Sequence, residues 1–139
     1  MKVTEERRGY ITEVALEFLA YNIGIDISIP RTPLRYDQVW DIGNRLLRVQ
    51  IKSCQEIIKD NILYGIEFPN NKYNANEIDG MATMYKGKIY YIPIEKCARE
   101  NKLYFLINKG HDSNEFKWAQ DYEINSLNKL KSIVKNCTA

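Results

Sequence analysis

Apolar residues recur near helical spacing at Ile11, Val14, Ala15, Phe18 and Leu19, with Tyr21 or Asn22 completing the series, and predict a first amphipathic helix. Thr4 offers a side-chain oxygen to cap it, Glu5 and Glu6 put negative charge at the positive end of its dipole, and Gly24 stops it as a C′ residue. The period then changes to two. Ile25, Ile27 and Ile29 alternate with Asp26 and Ser28, as in a short half-buried strand, and the proline-bearing segment 30–33 ends it.

Two strand-like runs flank Gly43-Asn44, a two-residue hairpin signal in which glycine takes the positive φ of a type II′ turn. That turn sets Asp37 opposite Gln50 and puts Lys52 two residues further along the same face. Val49 and Ile51 face the other way and supply the buried side of the strand. Residues 61–68 read as another strand and 69–76 as an Asn-rich loop. Residues 81–85 and 89–92 form a second hairpin through Lys86-Gly87-Lys88, and 103–107 is a compact apolar strand. Ile124, Leu127, Leu130 and Ile133 or Val134 predict a closing amphipathic helix over 122–134. The order gives an α/β (α+β) fold with a mixed central β-sheet flanked by helices, as one domain over 1–139.

Composition narrows the function classes. With 139 residues, 45% hydrophobic and 27% charged, the chain has the balance of a globular domain with a real core. Cys54, Cys97 and Cys137 are widely spaced with no CxxC pair, which favours neither a disulfide framework nor a zinc site and fits a reducing cytoplasm. No apolar run is long enough for a membrane span, and the start lacks a signal-peptide core. The lone histidine, His111, sits in a polar loop and argues against histidine-metal nucleases, HExxH peptidases and Ser-His-Asp hydrolases. There is no GxGxxG and no Walker A sequence, so no nucleotide cofactor is expected. A net charge of +2 permits a DNA partner without demanding one.

One carboxylate, one amide and one ammonium on a hairpin face outline a metal-dependent phosphodiester-cleaving site. Taken alone, Gln50-x-Lys52 is worth little, because polar residues alternate on any half-buried strand. The wider string is more specific. Gly9-Tyr10-Ile11-Thr12-Glu13, Gly24, Pro30, Tyr36-Asp37 and Arg48-Val49-Gln50-Ile51-Lys52-Ser53, with a weaker likeness through Ile78-Asp79 and Tyr90-Tyr91-Ile92-Pro93, resemble the PD-(D/E)XK nuclease superfamily. The likeness is to its Gln-X-Lys variant, the homing endonucleases encoded in cyanobacterial group I introns. This resemblance implies a restriction-endonuclease-like core and a Mg2+-dependent DNA endonuclease, with Mn2+ able to substitute. It places Asp37 at the motif's aspartate and Gln50-Ile51-Lys52 at (D/E)-X-K, with Glu13 as the acid of the first helix. Asp37, Gln50 and Glu13 would bind metal, and Lys52 would orient or help deprotonate the water or stabilise developing charge.

Glu17, one turn from Glu13, is the alternative helix acid; Asp41 lies near the turn, and Asp79 reads as structural. Arg31, Arg35, Arg45, Arg48, Lys72, Lys86 and Lys88 are candidate contacts to double-stranded DNA, each also explicable as solvated surface charge. One site per chain and a two-stranded substrate imply a homo-oligomer, a dimer or tetramer. A junction-resolving or restriction-type enzyme is the nearest alternative, and a DNA-binding module that has lost turnover is the alternative from another class.

Overall fold

The computed structural model describes residues 3–69, 73–97, 102–107 and 117–136. Helix α1 is Glu5–Asn22, followed by strands β1 (Asp26–Ser28), β2 (Gln38–Asp41), β3 (Leu46–Ile51), β4 (Gln55–Lys59) and β5 (Ile62–Pro69). Then come β6 (Gly80–Tyr85), β7 (Lys88–Pro93), a 3-10 turn (Ile94–Lys96), β8 (Lys102–Leu106), β9 (Lys117–Trp118), α2 (Ala119–Tyr122), β10 (Glu123–Ile124) and α3 (Leu127–Lys135).

The expected ends of α1 hold. Thr4 Oγ1 accepts the Arg7 N–H at 3.2 Å, and Gly24 takes φ +91° just beyond the C-cap Ile23. Its expected core face does not. Ile11, Val14, Phe18 and Tyr21 are exposed, whereas Thr12, Leu16 and Ala20 are buried against the sheet. The helix is apolar on nearly every side, so spacing alone does not choose the inward stripe.

Six strands form the central mixed sheet in the order β1-β2-β3-β6-β7-β10. The β2–β3 hairpin pairs Gln38 with Val49 and Trp40 with Leu47, the register that the Gly43-Asn44 turn predicts, and Gly43 has φ +99°. Strand β6 runs parallel to β3, with Val49 beside Gly80 and Gln50 beside Met81. The β6–β7 turn places Lys86 and Gly87 at φ 48° and 76°, a type I′ geometry. On one face Trp40, Leu47, Val49, Ile51 and Tyr91 pack against Leu16 and Ala20 of α1 and Leu130 of α3. On the other, Met81, Tyr90 and Ile92 pack against Ile66, Phe68 and Phe105 of a second sheet.

That second sheet, β4-β5-β8-β9, was not expected as a separate layer. Its strand β4 is too exposed to show a clear apolar period, and it joins β5 through Asp60 and Asn61, both at positive φ. The closing helix also differs from expectation. Ser126 caps α3 by accepting the Lys129 N–H at 3.1 Å, and Ile124 instead pairs with Ile89 in the sheet. Ile124 is three residues before Leu127, a spacing that mimics one more helical turn. No helix among the described residues is long and apolar enough to cross a membrane.

Gly80 marks the closest approach among the glycines of the central sheet, because a Cβ there would clash with the hydroxyl end of the buried Tyr91 side chain. Gly80→Ala is expected to lower unfolding free energy by about 1–3 kcal/mol through overpacking. Urea denaturation checks this; an unchanged midpoint would show that Tyr91 moves aside freely.

Candidate active site

Asp37 stands at the entry to β2, held from two directions. Its N–H donates to Val49 O at 2.9 Å, and its carboxylate Oδ2 accepts the Ile51 N–H at 2.8 Å. In β3, Leu47, Val49 and Ile51 are buried while Arg48 and Gln50 alternate with them and are half-buried. Lys52 follows immediately, its N–H donating to Ala82 O at 2.9 Å. The Lys52 ammonium lies near Asp37, whose charge it stabilises, and sits 5.5 Å from the centroid of the Tyr73 ring. Tyr73 is buried, and the same ring receives the Arg35 guanidinium at 4.3 Å.

Glu13 comes from α1, which is fastened to the sheet at this point. Trp40 Nε1–H donates to Gln38 Oε1 at 2.9 Å, and Gln38 Nε2–H donates to Glu13 O at 3.3 Å. One residue earlier the Thr12 and Ser53 hydroxyls are hydrogen-bonded at 2.8 Å. The Glu13 carboxyl is thereby brought against Asp37. Burial first, then the Asp37 charge and a hydrogen bond to it, push the Glu13 pKa up to about 7. Asp37 is also raised, chiefly by burial, with the Ile51 N–H and Lys52 pulling the other way. The pair therefore shares a proton near neutrality, carried by Glu13. Of the two helix acids considered, Glu13 is the one that interacts with Asp37.

Among the described residues no group of three or more His, Cys, Asp or Glu could hold a metal ion. The hard-oxygen donors brought together at this place are the Glu13 and Asp37 carboxylates, and Gln50 is half-buried in β3. Magnesium is commonly held by one or two carboxylates, with waters and substrate phosphate completing its shell, so this donor set fits it.

The other acids have structural partners. Asp41 Oδ1 accepts the Gly43 N–H at 2.9 Å and steadies the turn. Asp79 accepts the Arg48 N–H at 2.7 Å and the Arg48 and Arg45 guanidinium groups, which lowers its pKa despite burial. Arg48 also donates to Asn76 O and Ala75 O, so its guanidinium is engaged within the chain. Arg35 pairs with Glu77, and Lys88 with Glu123 at 3.5 Å. Arg31 and Lys86 are exposed, whereas Lys72 and His111 lie outside the described residues.

Sequence reasoning missed Tyr73, Gln38 and the Thr12–Ser53 link. Gln38 alone left a signal, as a polar residue opposite Val49 on the core face of its strand.

The raised Glu13 pKa fixes a pH dependence. The folded chain binds this proton more tightly than the unfolded chain, whose glutamate has its ordinary value of 4.5. Stability from the shared proton is therefore present below 4.5 and is lost as pH rises to about 7. Thermal melts across this window are expected to show Tm falling with pH in the wild type, with a flatter profile in Glu13→Gln. Parallel profiles for the two proteins would contradict the shared proton.

No family model and no curated protein matches the sequence. Among solved structures the chain is similar to a bacterial homing endonuclease, I-Ssp6803I, with a TM-score of 0.70 and 19% identity over 98% of this chain and 95% of that one. A mixed central sheet flanked by helices, in the fold of that homing endonuclease, is the architecture this sequence adopts.

Proposed function

We propose that the chain is a Mg2+-dependent DNA endonuclease of the homing kind, a PD-(D/E)XK nuclease in which Gln50 replaces the second motif acid. The observation that carries this is the Glu13–Asp37 acid pair beside Lys52 at the end of a hairpin. The fold likeness to a protein described as a homing endonuclease supports the same choice. Asp37 and Glu13, with the Gln50 amide oxygen, are the groups that would hold the cation. The chemistry Mg2+ would supply there, or Mn2+ in its place, is neutralisation of charge on a scissile phosphate and a more acidic water.

Within that frame the chain's own groups have distinct tasks. Asp37, whose carboxylate accepts the Ile51 N–H and lies near the Lys52 ammonium, is the acid whose charged form the site favours over that of Glu13. Glu13 releases its proton near neutral pH and then adds a second negative charge. Lys52 orients the attacking water and so helps its deprotonation, or stabilises charge developing on phosphate with its ammonium, which lies close to Asp37. Exposed Arg31 and Lys86, and Lys72, are the cations offered to a DNA backbone. The protein acts as one domain, in the cytoplasm, as a homo-oligomer.

Gln50 favours a second reading, a DNA-binding module without turnover, because it leaves only two carboxylates. Supercoiled plasmid incubated with Mg2+ separates the two. Under the nuclease reading wild type cuts, and Asp37→Ala and Lys52→Ala each lose about 100-fold or more, the usual scale for a proton-transferring or charge-stabilising group. Binding without cutting by wild type and both variants alike would establish the module instead.

A further inference from the structure

The outward face of α1 has a second regularity besides its exposure. Arg7, Ile11, Val14, Phe18 and Tyr21 follow one another at spacings of four, three, four and three, the alternation of a helix–helix seam. Val14 and Phe18 are each 66% exposed, and Tyr10 beside them is 61% exposed. Among the described residues the packing of α1 onto the sheet is through its Thr12, Leu16 and Ala20 side, and the one tie from the stripe is at its end, where the Tyr21 hydroxyl donates to Ile27 O at 3.1 Å.

We propose that this face is where a second copy of the chain docks, with the two α1 helices antiparallel about a two-fold axis near Val14. The stripe is self-complementary in that arrangement, since turning it end for end about Val14 sets Arg7 against the partner's Tyr21. Area agrees. With a fully buried aromatic worth about 150–250 Å2, the exposed parts of these side chains offer roughly 500 Å2 of apolar surface per copy. Two such faces and their polar flanks reach the ~1,200 Å2 at which specific interfaces begin. A DNA backbone does not suit the stripe, whose one cation is Arg7 at its end.

Orientation gives the pairing a consequence. Glu13 lies on the flank of α1, between the core face and the outer stripe. A two-fold axis perpendicular to antiparallel helices keeps each flank on the same side, so both Glu13–Asp37 pairs face one direction. A parallel pairing would turn them apart. The docking deepens the nuclease reading, on which this consequence rests, because one duplex could then meet two sites.

Sedimentation at about 100 µM protein tests the interface, with Val14→Glu/Phe18→Glu as the variant; both side chains are exposed, so the fold should tolerate it, and an unchanged Tm verifies that. Expected are a wild-type mass of at least twice 16.3 kDa and a lower mass for the variant. A monomeric wild type, or an equal mass for a folded variant, overturns the proposal. If the variant does not fold, Val14→Cys decides by oxidation: a covalent dimer linked through position 14 supports the two-fold, and its absence refutes it. Plasmid cleavage is scored separately. A wild type that associates through α1 but never cuts DNA loses the nuclease reading and keeps the interface. One that cuts while the variant's mass is unchanged does the reverse.

Discussion

The two-residue turn at Gly43-Asn44 is the constraint on which the site depends. With side chains alternating at a period of two, a slip of one residue would send Gln50 and Lys52 into the core and bring Val49 and Ile51 out. Glycine at φ +99° and the Asp41 carboxylate on the Gly43 N–H hold the turn, and the buried pair Trp40–Leu47 penalises any shift. The same register delivers the Ile51 N–H to Asp37, so one alignment sets the position of the carboxylate and of the amide that charges it. Strand β6 then fixes the outer edge, through the Lys52 N–H on Ala82 O and the Asp79 clamp on Arg48.

A hairpin cannot supply the second acid, and the helix that does must be held against the sheet by more than apolar packing. Gln38 does this from inside the core. Its amide accepts from the Trp40 indole and donates to Glu13 O, so a polar group that would be costly to bury unpaired becomes a positional link. Thr12 and Ser53 add a second tie on the site side of α1. Two short polar bridges thus place Glu13 by its own backbone and by its neighbour, and the carboxyl has little freedom to leave Asp37.

Much of this was legible in the sequence, for reasons that differ by element. The hairpin register followed from one dipeptide, and the ends of α1 followed from Thr4 and Gly24, because turns and caps are local chemistry. The β2–β3 pairing could therefore be set by counting as far as Gln38 and Val49, whereas Asp37, just outside the strand, bonds by its N–H to Val49 O. The inward face of α1 could not, since Ile11, Val14 and Phe18 are as apolar as Leu16 and Ala20 and tertiary packing makes the choice. The strand β4 was hidden by its exposed polar residues, and β10 by a spacing that mimics helix. Tyr73, contacted by both Arg35 and Lys52, was invisible because nothing in local sequence shows which distant cations meet a ring.

Two carboxylates held this closely can be made compatible in two ways, by a proton between them or by a cation. Below about 7 the proton on Glu13 suffices, with Lys52 partly balancing Asp37. Above it, the second negative charge is uncompensated in a half-buried place. Proton release and metal affinity are coupled in such a pair, because the same oxygens serve both.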